Sequence, residues 1–265
     1  MLLKGETIMR LESWVLDAVL FIFFILILRE GRLAIGREKA SIFLWGSLLW
    51  TGIIENLMVV LGGYDYFAYA DYYSFGGKLI NGYAGWISWI LFVPLCICLG
   101  WFLLSFPAMI ISIRLLGDKT SIWIKAAVAA IFLVSFDMLL DPISVVNEWW
   151  RWTSPGYYLR GVTMGNYIGW FFLLFFFGAA FERTVIQRKG FRGLSKIESL
   201  IFKTDTLDLS GVSLRIIAKV FYFRLFVFLP LFYFACLMVA GFVGSTFTNN
   251  FGPFDSVFPR IGGPE

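Results

Sequence analysis

Apolar residues in this chain come in long blocks separated by short polar connectors. The first block, residues 13–29, reads SWVLDAVLFIFFILILR. A helix needs about 20 apolar residues to cross a hydrocarbon layer about 30 Å thick. On that measure the pattern predicts six spans, at about 13–29, 41–62, 83–106, 121–141, 164–182 and 216–243. Pro94 and Pro107 fall in the third, where neighbouring helices can accommodate a kink. A membrane barrel would instead alternate polar and apolar positions over segments of about ten residues, and no such alternation is visible. The expected fold class is therefore all-α, a polytopic integral membrane helical bundle, with residues 1–265 as one transmembrane domain. The first block is followed by REGRLAIGREK and by no small-residue cleavage site, so it reads as a retained helix.

The connectors carry the topology. Arg29, Arg32, Arg37 and Lys39 follow the first span, Arg114, Lys119 and Lys125 surround the third connector, and Arg183, Arg188, Lys189, Arg192, Lys196 and Lys203 crowd the fifth, 183–215. The positive-inside rule then puts the odd-numbered connectors in the cytoplasm and both termini outside. In the long fifth connector Ser195 and Glu198 have capping-box spacing. Leu194, Ile197, Leu200 and Ile201 share one face, predicting a short helix on the membrane surface. The segment after 243, rich in Gly and Pro, is expected to be irregular.

Composition narrows the chemistry. The chain is 59% hydrophobic and 15% charged, with mean hydropathy +0.79 and net charge +4. This balance fits lipid contact and no nucleic-acid partner. There is no histidine, which excludes His-ligated haem, His-rich di-iron centres and a Ser-His-Asp triad. Water, not dioxygen, is the expected source of any oxygen added to a substrate. Cys96, Cys98 and Cys236 lie in apolar runs without a CxxC pair and read as small hydrophobes; no metal site is expected.

The predicted topology gathers the polar residues at membrane depth on one side. Glu55 lies in the outer part of the second span, Asp137 and Asp141 at the outer end of the fourth, Asp17 in the first turns of the first, and Asn166 and Tyr167 early in the fifth. Above them run two outer connectors, GGYDYFAYADYYSFGG, with Tyr64 and Tyr66, and DPISVVNEWWRWTSPGYYLRGVTMGN, with Trp149, Trp150, Arg151, Trp152, Tyr157 and Tyr158. Asp137 and Asp141 are four apart and share a helix face. Pro142 disfavours helix at Asp141, so the span should end there. Low dielectric, a like neighbour and the negative end of the helix dipole favour the protonated carboxyl, the state a proton donor needs. Plainer readings stand beside this one. Asp141 could bond the turn after Pro142 or pair with Arg151; Glu55 could pair with a basic or amide group on another span. Asn166 could cap its helix. The tryptophans and tyrosines could form an interfacial belt instead of a surface for positive charge.

The run LDPISVVNEWWRWTSPGYYLRGVTMGNYIGWFF resembles the signature of the membrane carotenoid hydratases, which include the archaeal bisanhydrobacterioruberin hydratases and the bacterial γ-carotene 1′-hydratases. The matching positions are Asp141, Pro142, Trp150, Trp152, Tyr158, Gly161, Val162, Asn166, Tyr167, Gly169 and Trp170. Glu55 followed by GGYDY, and Pro94 with Trp101, are similar to further stretches of that family. Thr163 stands where the family usually has proline. The Phe-x-Glu-Glu signature of the small lycopene cyclases is missing.

The resemblance implies acid-catalysed addition of water across the terminal C=C of a ψ-end carotenoid, giving a tertiary alcohol with no cofactor. In that reading Asp137 or Asp141 donates the proton, Glu55 positions or deprotonates water, and Asn166 orients it. Trp150, Trp152 and Tyr158 face the cation, and Trp149, Tyr157, Trp170, Tyr64, Tyr66 and Arg151 complete the substrate site. The implied partners are a carotenoid or other long polyene and membrane lipid, with a homo-oligomer or membrane-complex partner left open. The implied location is the cytoplasmic membrane of a bacterium or archaeon. Two other classes fit part of the pattern: a non-catalytic membrane subunit that binds carotenoid or lipid, and a small proton-coupled transporter. Against the transporter, the acids gather in one leaflet and form no relay through the membrane.

Overall fold

The computed structural model describes residues 2–60, 64–66, 70–75, 78–83, 89–91, 93–146, 150–152 and 158–250, with side chains described at 15, 18–60, 91, 93–146, 152 and 158–239. The fold is an all-α membrane bundle. Its helices are α1 (Leu2–Ile35), α2 (Arg37–Val60), α3 (Leu95–Leu116), α4 (Ile122–Val146), α5 (Met164–Phe181), α6 (Ser195–Phe202) and α7 (Leu214–Asn250). Among the described residues five helical segments are long and apolar enough to cross a membrane: Arg37–Val60, Leu95–Leu116, Ile122–Val146, Met164–Ile186 and Leu214–Val239. The first apolar block lies inside α1, which packs against α2 and α3.

Sharp turns between long helices need special backbone. At the α1–α2 junction Gly36 has φ of 90°, a conformation that costs glycine little. Its N–H closes onto the Arg32 carbonyl at 3.1 Å, and the chain reverses within one residue.

In lipid, helices associate through packing and hydrogen bonds, because the surrounding tails are as apolar as the side chains. The centre of this bundle is accordingly aromatic. The Phe43 ring meets Phe106, Phe177 and Phe181 edge to face at centroid distances of 4.9, 4.9 and 4.8 Å. Such pairs contribute about 0.5–1.5 kcal/mol each beyond burial. Gly46 admits the Phe221 ring to this cluster: a Cβ there would stand 2.5 Å from Phe221 Cε1. Outside, Phe21, Ile22, Phe136, Leu139, Phe234 and Leu237 form part of an exposed apolar belt.

Three span ends differ from the pattern. The third helix starts at Leu95, not at 83. Just before it Trp89–Ile90 and Val93–Pro94 pair as short antiparallel strands, and Pro94 stands at the helix N-cap in extended backbone. The fourth runs through Pro142 to Val146; in a bilayer, neighbouring helices and hydroxyl groups make a helix-borne proline tolerable, and Ser144 Oγ bonds the Leu140 carbonyl at 3.0 Å. The last helix continues to Asn250, so residues 244–250 are helical where the pattern predicts an irregular segment.

Strands cover one end of the bundle. Between α2 and α3 lie β1 (Tyr64–Tyr66), β2 (Ala70–Phe75), β3 (Lys78–Tyr83), β4 (Trp89–Ile90) and β5 (Val93–Pro94). Between α4 and α5 lie β6 (Trp150–Trp152), β7 (Tyr158–Leu159) and β8 (Val162–Thr163). The pairs β2–β3, β4–β5 and β7–β8 are local and antiparallel. β1 and β6 are not local: they join the two connectors, with Tyr64 opposite Trp152, Asp65 opposite Arg151 and Tyr66 opposite Trp150.

At the other end α5 runs into a π-helical turn, Glu182–Ile186, and buried ion pairs tie the connector down. Lys125 Nζ lies 2.6 Å from Glu182 Oε1. Arg224 grips Glu198 with two bonds of 2.6 Å, reaches Thr184 Oγ1 at 2.6 Å and lies over the Phe191 ring. The capping box at Ser195 and Glu198 therefore does not form. Ser195 Oγ bonds the Arg192 carbonyl, and Glu198 faces inward to Arg224, a stronger partner than a backbone amide. Ile197, Leu200 and Ile201 are exposed together on α6, while Leu194 packs against the core.

Candidate active site

The site is built where α4 and α5 lie side by side. Asp137 and Asp141, one turn apart on α4, are 1% and 4% exposed. Asn166, in the first turn of α5, sends one amide nitrogen to both: Nδ2 donates to Asp137 Oδ2 at 2.9 Å and to Asp141 Oδ2 at 2.5 Å. The capping alternative for Asn166 falls away, since the residue at the N-cap is Thr163, whose side chain makes no capping bond. Sharing one donor holds the two carboxyls of α4 close together against α5.

Glu55 joins the pair from α2. It is buried and within electrostatic reach of Asp137 and Asp141. Its charge is also felt by the thiol of Cys98 on α3 and the phenol of Tyr233 on α7. Beside it, Asn56 Nδ2 donates back to the Gly52 carbonyl of α2 at 2.6 Å. Tyr167 follows Asn166 on α5, is 5% exposed and lies in the field of both aspartates and of Arg160. The hydroxyls of Tyr167 and Tyr233 are buried without a hydrogen-bond partner among the described residues. Carboxyl, amide and phenol groups from four helices thus lie in one another's electrostatic field in the interior of the bundle.

The strand-covered end stands over this cluster. Trp152, on β6, is half-buried and packs against Val59, Val93 and Cys98, and so covers the Glu55 side. Tyr158 Oη donates to the Trp152 carbonyl at 3.5 Å, and partial burial pushes its phenol above the ordinary range. Trp170 is half-buried against the aromatic core. The backbones of Tyr64, Tyr66, Trp150 and Arg151 lie in the β1–β6 pair, but their side chains fall outside the described set, as does that of Asp17. Trp149 and Tyr157 lie outside the described residues altogether.

Sequence reasoning did not single out Tyr233 and read Cys98 only as packing. Their signal is faint: both sit in uninterrupted apolar helix, where a phenol or thiol resembles any core residue. No group of three His, Cys, Asp or Glu side chains suited to holding a metal ion occurs among the described residues.

Comparison with known proteins gives one finding. A family model described as carotenoid biosynthesis protein matches residues 14–202, a stretch containing every residue of the cluster except Tyr233. No curated protein and no solved structure matches the chain.

Proposed function

Because the chain belongs to the carotenoid biosynthesis protein family, we propose that it is an acid-catalysed hydratase that adds water across the terminal C=C of a ψ-end carotenoid. A role in carotenoid biosynthesis, with membrane-embedded isoprenoid substrates, follows from the family. The finer reading rests on one observation: two buried carboxyls share the amide of Asn166, with a third carboxyl, Glu55, within electrostatic reach.

The proposed steps are these. The protonated member of the Asp137–Asp141 pair gives its proton to the less substituted alkene carbon. The π electrons form that C–H bond and leave a tertiary cation. In this reading the ring of Trp152, which packs beside Cys98, stabilises the charge. Water adds to the cation, forming the C–O bond, and the proton lost from the resulting oxonium passes to Glu55 and returns to the aspartate pair. The net change is alkene plus water to tertiary alcohol, with no electron transferred. Asn166 holds the two carboxyls in register throughout. A general acid of this kind supplies about 10²–10⁴ in rate.

In this reading the basic end of the bundle, with Arg188, Arg192 and Lys196, faces the cytoplasm of a bacterial or archaeal cell, and the site faces the opposite leaflet. The test is expression in a bacterium that makes lycopene or γ-carotene, followed by mass analysis of the pigments. A product heavier by one water supports the reading; unchanged pigment in cells that contain the folded protein would refute it.

A further inference from the structure

We propose that α6 and the start of α7 form a docking surface for anionic phospholipid, with Ile197, Leu200 and Ile201 dipped into the leaflet and Lys203 and Lys219 on its headgroups. The proposal concerns the end of the bundle away from the carboxyl cluster and stands apart from the hydratase reading.

The outer face of α7 changes character along its length. Lys219, Phe226 and Phe234 are all exposed. They are spaced seven and eight apart, two helical turns each time, and so share one face. A stripe that turns from cation to ring between Lys219 and Phe226 marks where headgroups give way to hydrocarbon. Arg215, also exposed, lies one turn before Lys219 and continues the polar part.

Two contacts fix α6 at that boundary. The Phe202 ring meets Phe223 edge to face at a centroid distance of 5.7 Å, and Glu198 accepts both bonds from Arg224. Residues 223 and 224 fall between Lys219 and Phe226. The helix therefore lies at the level where lipid begins, not out in water. With Glu198 and Phe202 turned to α7, the residues left outside are Ile197, Leu200 and Ile201, and Leu200 is 82% exposed. Another protein would meet these side chains only in water, whereas lipid stands beside them at this level.

Charge decides which lipid. Lys203 follows Phe202 in the chain, and Lys219 is one turn before Phe223, so the two exposed lysines flank the ring contact. Lys196 is exposed at the other end of α6. None of the three makes an ion pair among the described residues. The nearest carboxylate in the chain, Glu198, is consumed inward by Arg224. Asp205 and Asp208, both exposed, accept from the backbone N–H groups of Leu207 and Ser210. An apolar face rimmed by cations is held by buried apolar area together with attraction to anionic headgroups.

Amide hydrogen exchange of the purified full chain, one copy per lipid nanodisc, tests this. Segment 195–203 should exchange several-fold more slowly in discs of equal phosphatidylcholine and phosphatidylglycerol than in phosphatidylcholine alone. Peptides of α3 should exchange equally in both, which reports an unchanged fold. At about 1 M salt, where the screening length falls to about 3 Å, the difference should vanish. Lys203→Gln with Lys219→Gln should remove most of it at low salt. Equal exchange of 195–203 in the two discs overturns the proposal, as does a difference that survives both high salt and the double variant. Protection by inorganic phosphate added to phosphatidylcholine discs would replace the lipid surface with a free-anion site. Slowing confined to discs that hold two copies would assign the face to a second copy of the chain.

Discussion

One nitrogen of Asn166 joins two helices by bonding carboxyl oxygens of both Asp137 and Asp141. The bridge makes the α4–α5 contact a chemical one, and it predicts how the members differ. Asp137→Asn and Asp141→Asn remove the ionisable pair and should each lower hydration of a ψ-end pigment by about 10²–10⁴. Asn166→Ala keeps both carboxyls but lets them move, and should cost less than either. Product formation per mole of folded protein, measured by pigment chromatography, gives the order. Near-normal turnover in both aspartate variants would leave the pair a structural contact.

Glu55 has a different task, so its variant should fail differently. Glu55→Gln keeps the side chain's size and its hydrogen bonding but removes the base that takes the proton from water. Turnover should drop by at least about tenfold, while binding of the polyene, read by the shift of its visible absorption on adding protein, stays unchanged. Tyr233→Phe removes a hydroxyl within electrostatic reach of Glu55 and should produce a smaller loss of the same kind. A loss of pigment binding in Glu55→Gln would assign the residue to substrate contact.

How much of this was legible beforehand depends on cost. A carboxyl within an apolar block is expensive and stands out, so Glu55, Asp137 and Asp141 were readable one by one. Their meeting was expected from topology, yet Asn166 read equally well as a cap until the α4–α5 contact was known. Tyr233 was hidden because α7 is already rich in aromatic residues. The β1–β6 pair was hidden because its strands are three residues each and far apart in the chain, leaving no local period to read. Ser195 and Glu198 gave a false capping signal because Arg224, distant in sequence, is the better partner for Glu198. Pro142 gave a false stop because the steric bias against helix before proline is a preference, and in a membrane bundle packing on neighbouring helices outweighs it.

The β1–β6 register allows a test of the covering segment. Tyr66 stands opposite Trp150, so Tyr66→Cys with Trp150→Cys should cross-link under mild oxidation, detected as a reductant-sensitive change in electrophoretic mobility. Tyr64→Cys with Trp150→Cys, which breaks the register, should cross-link far less. Equal cross-linking by both pairs would mean the register is not fixed.

Arg224 and Glu198 hold the opposite end of the bundle together and touch nothing in the proposed site. Both are fully buried, and two 2.6 Å bonds join them. Removing one partner strands the other's charge in the interior, so Arg224→Met or Glu198→Gln should each destabilise the protein by about 3–5 kcal/mol. The drop should be visible as a lower midpoint of thermal unfolding in detergent. Replacing both, Arg224→Met with Glu198→Leu, removes the stranded charge and should recover much of the loss, because a buried pair is often no better than well-packed apolar residues. The Thr184 hydroxyl and Lys189 carbonyl that Arg224 also bonds set the part that is not recovered. A double variant as unstable as the sum of the singles would mean that Arg224 acts mainly through Thr184 and Lys189, with Glu198 a bystander. In either case, hydration measured below the unfolding range should change little, since this end anchors the connector and takes no part in proton transfer.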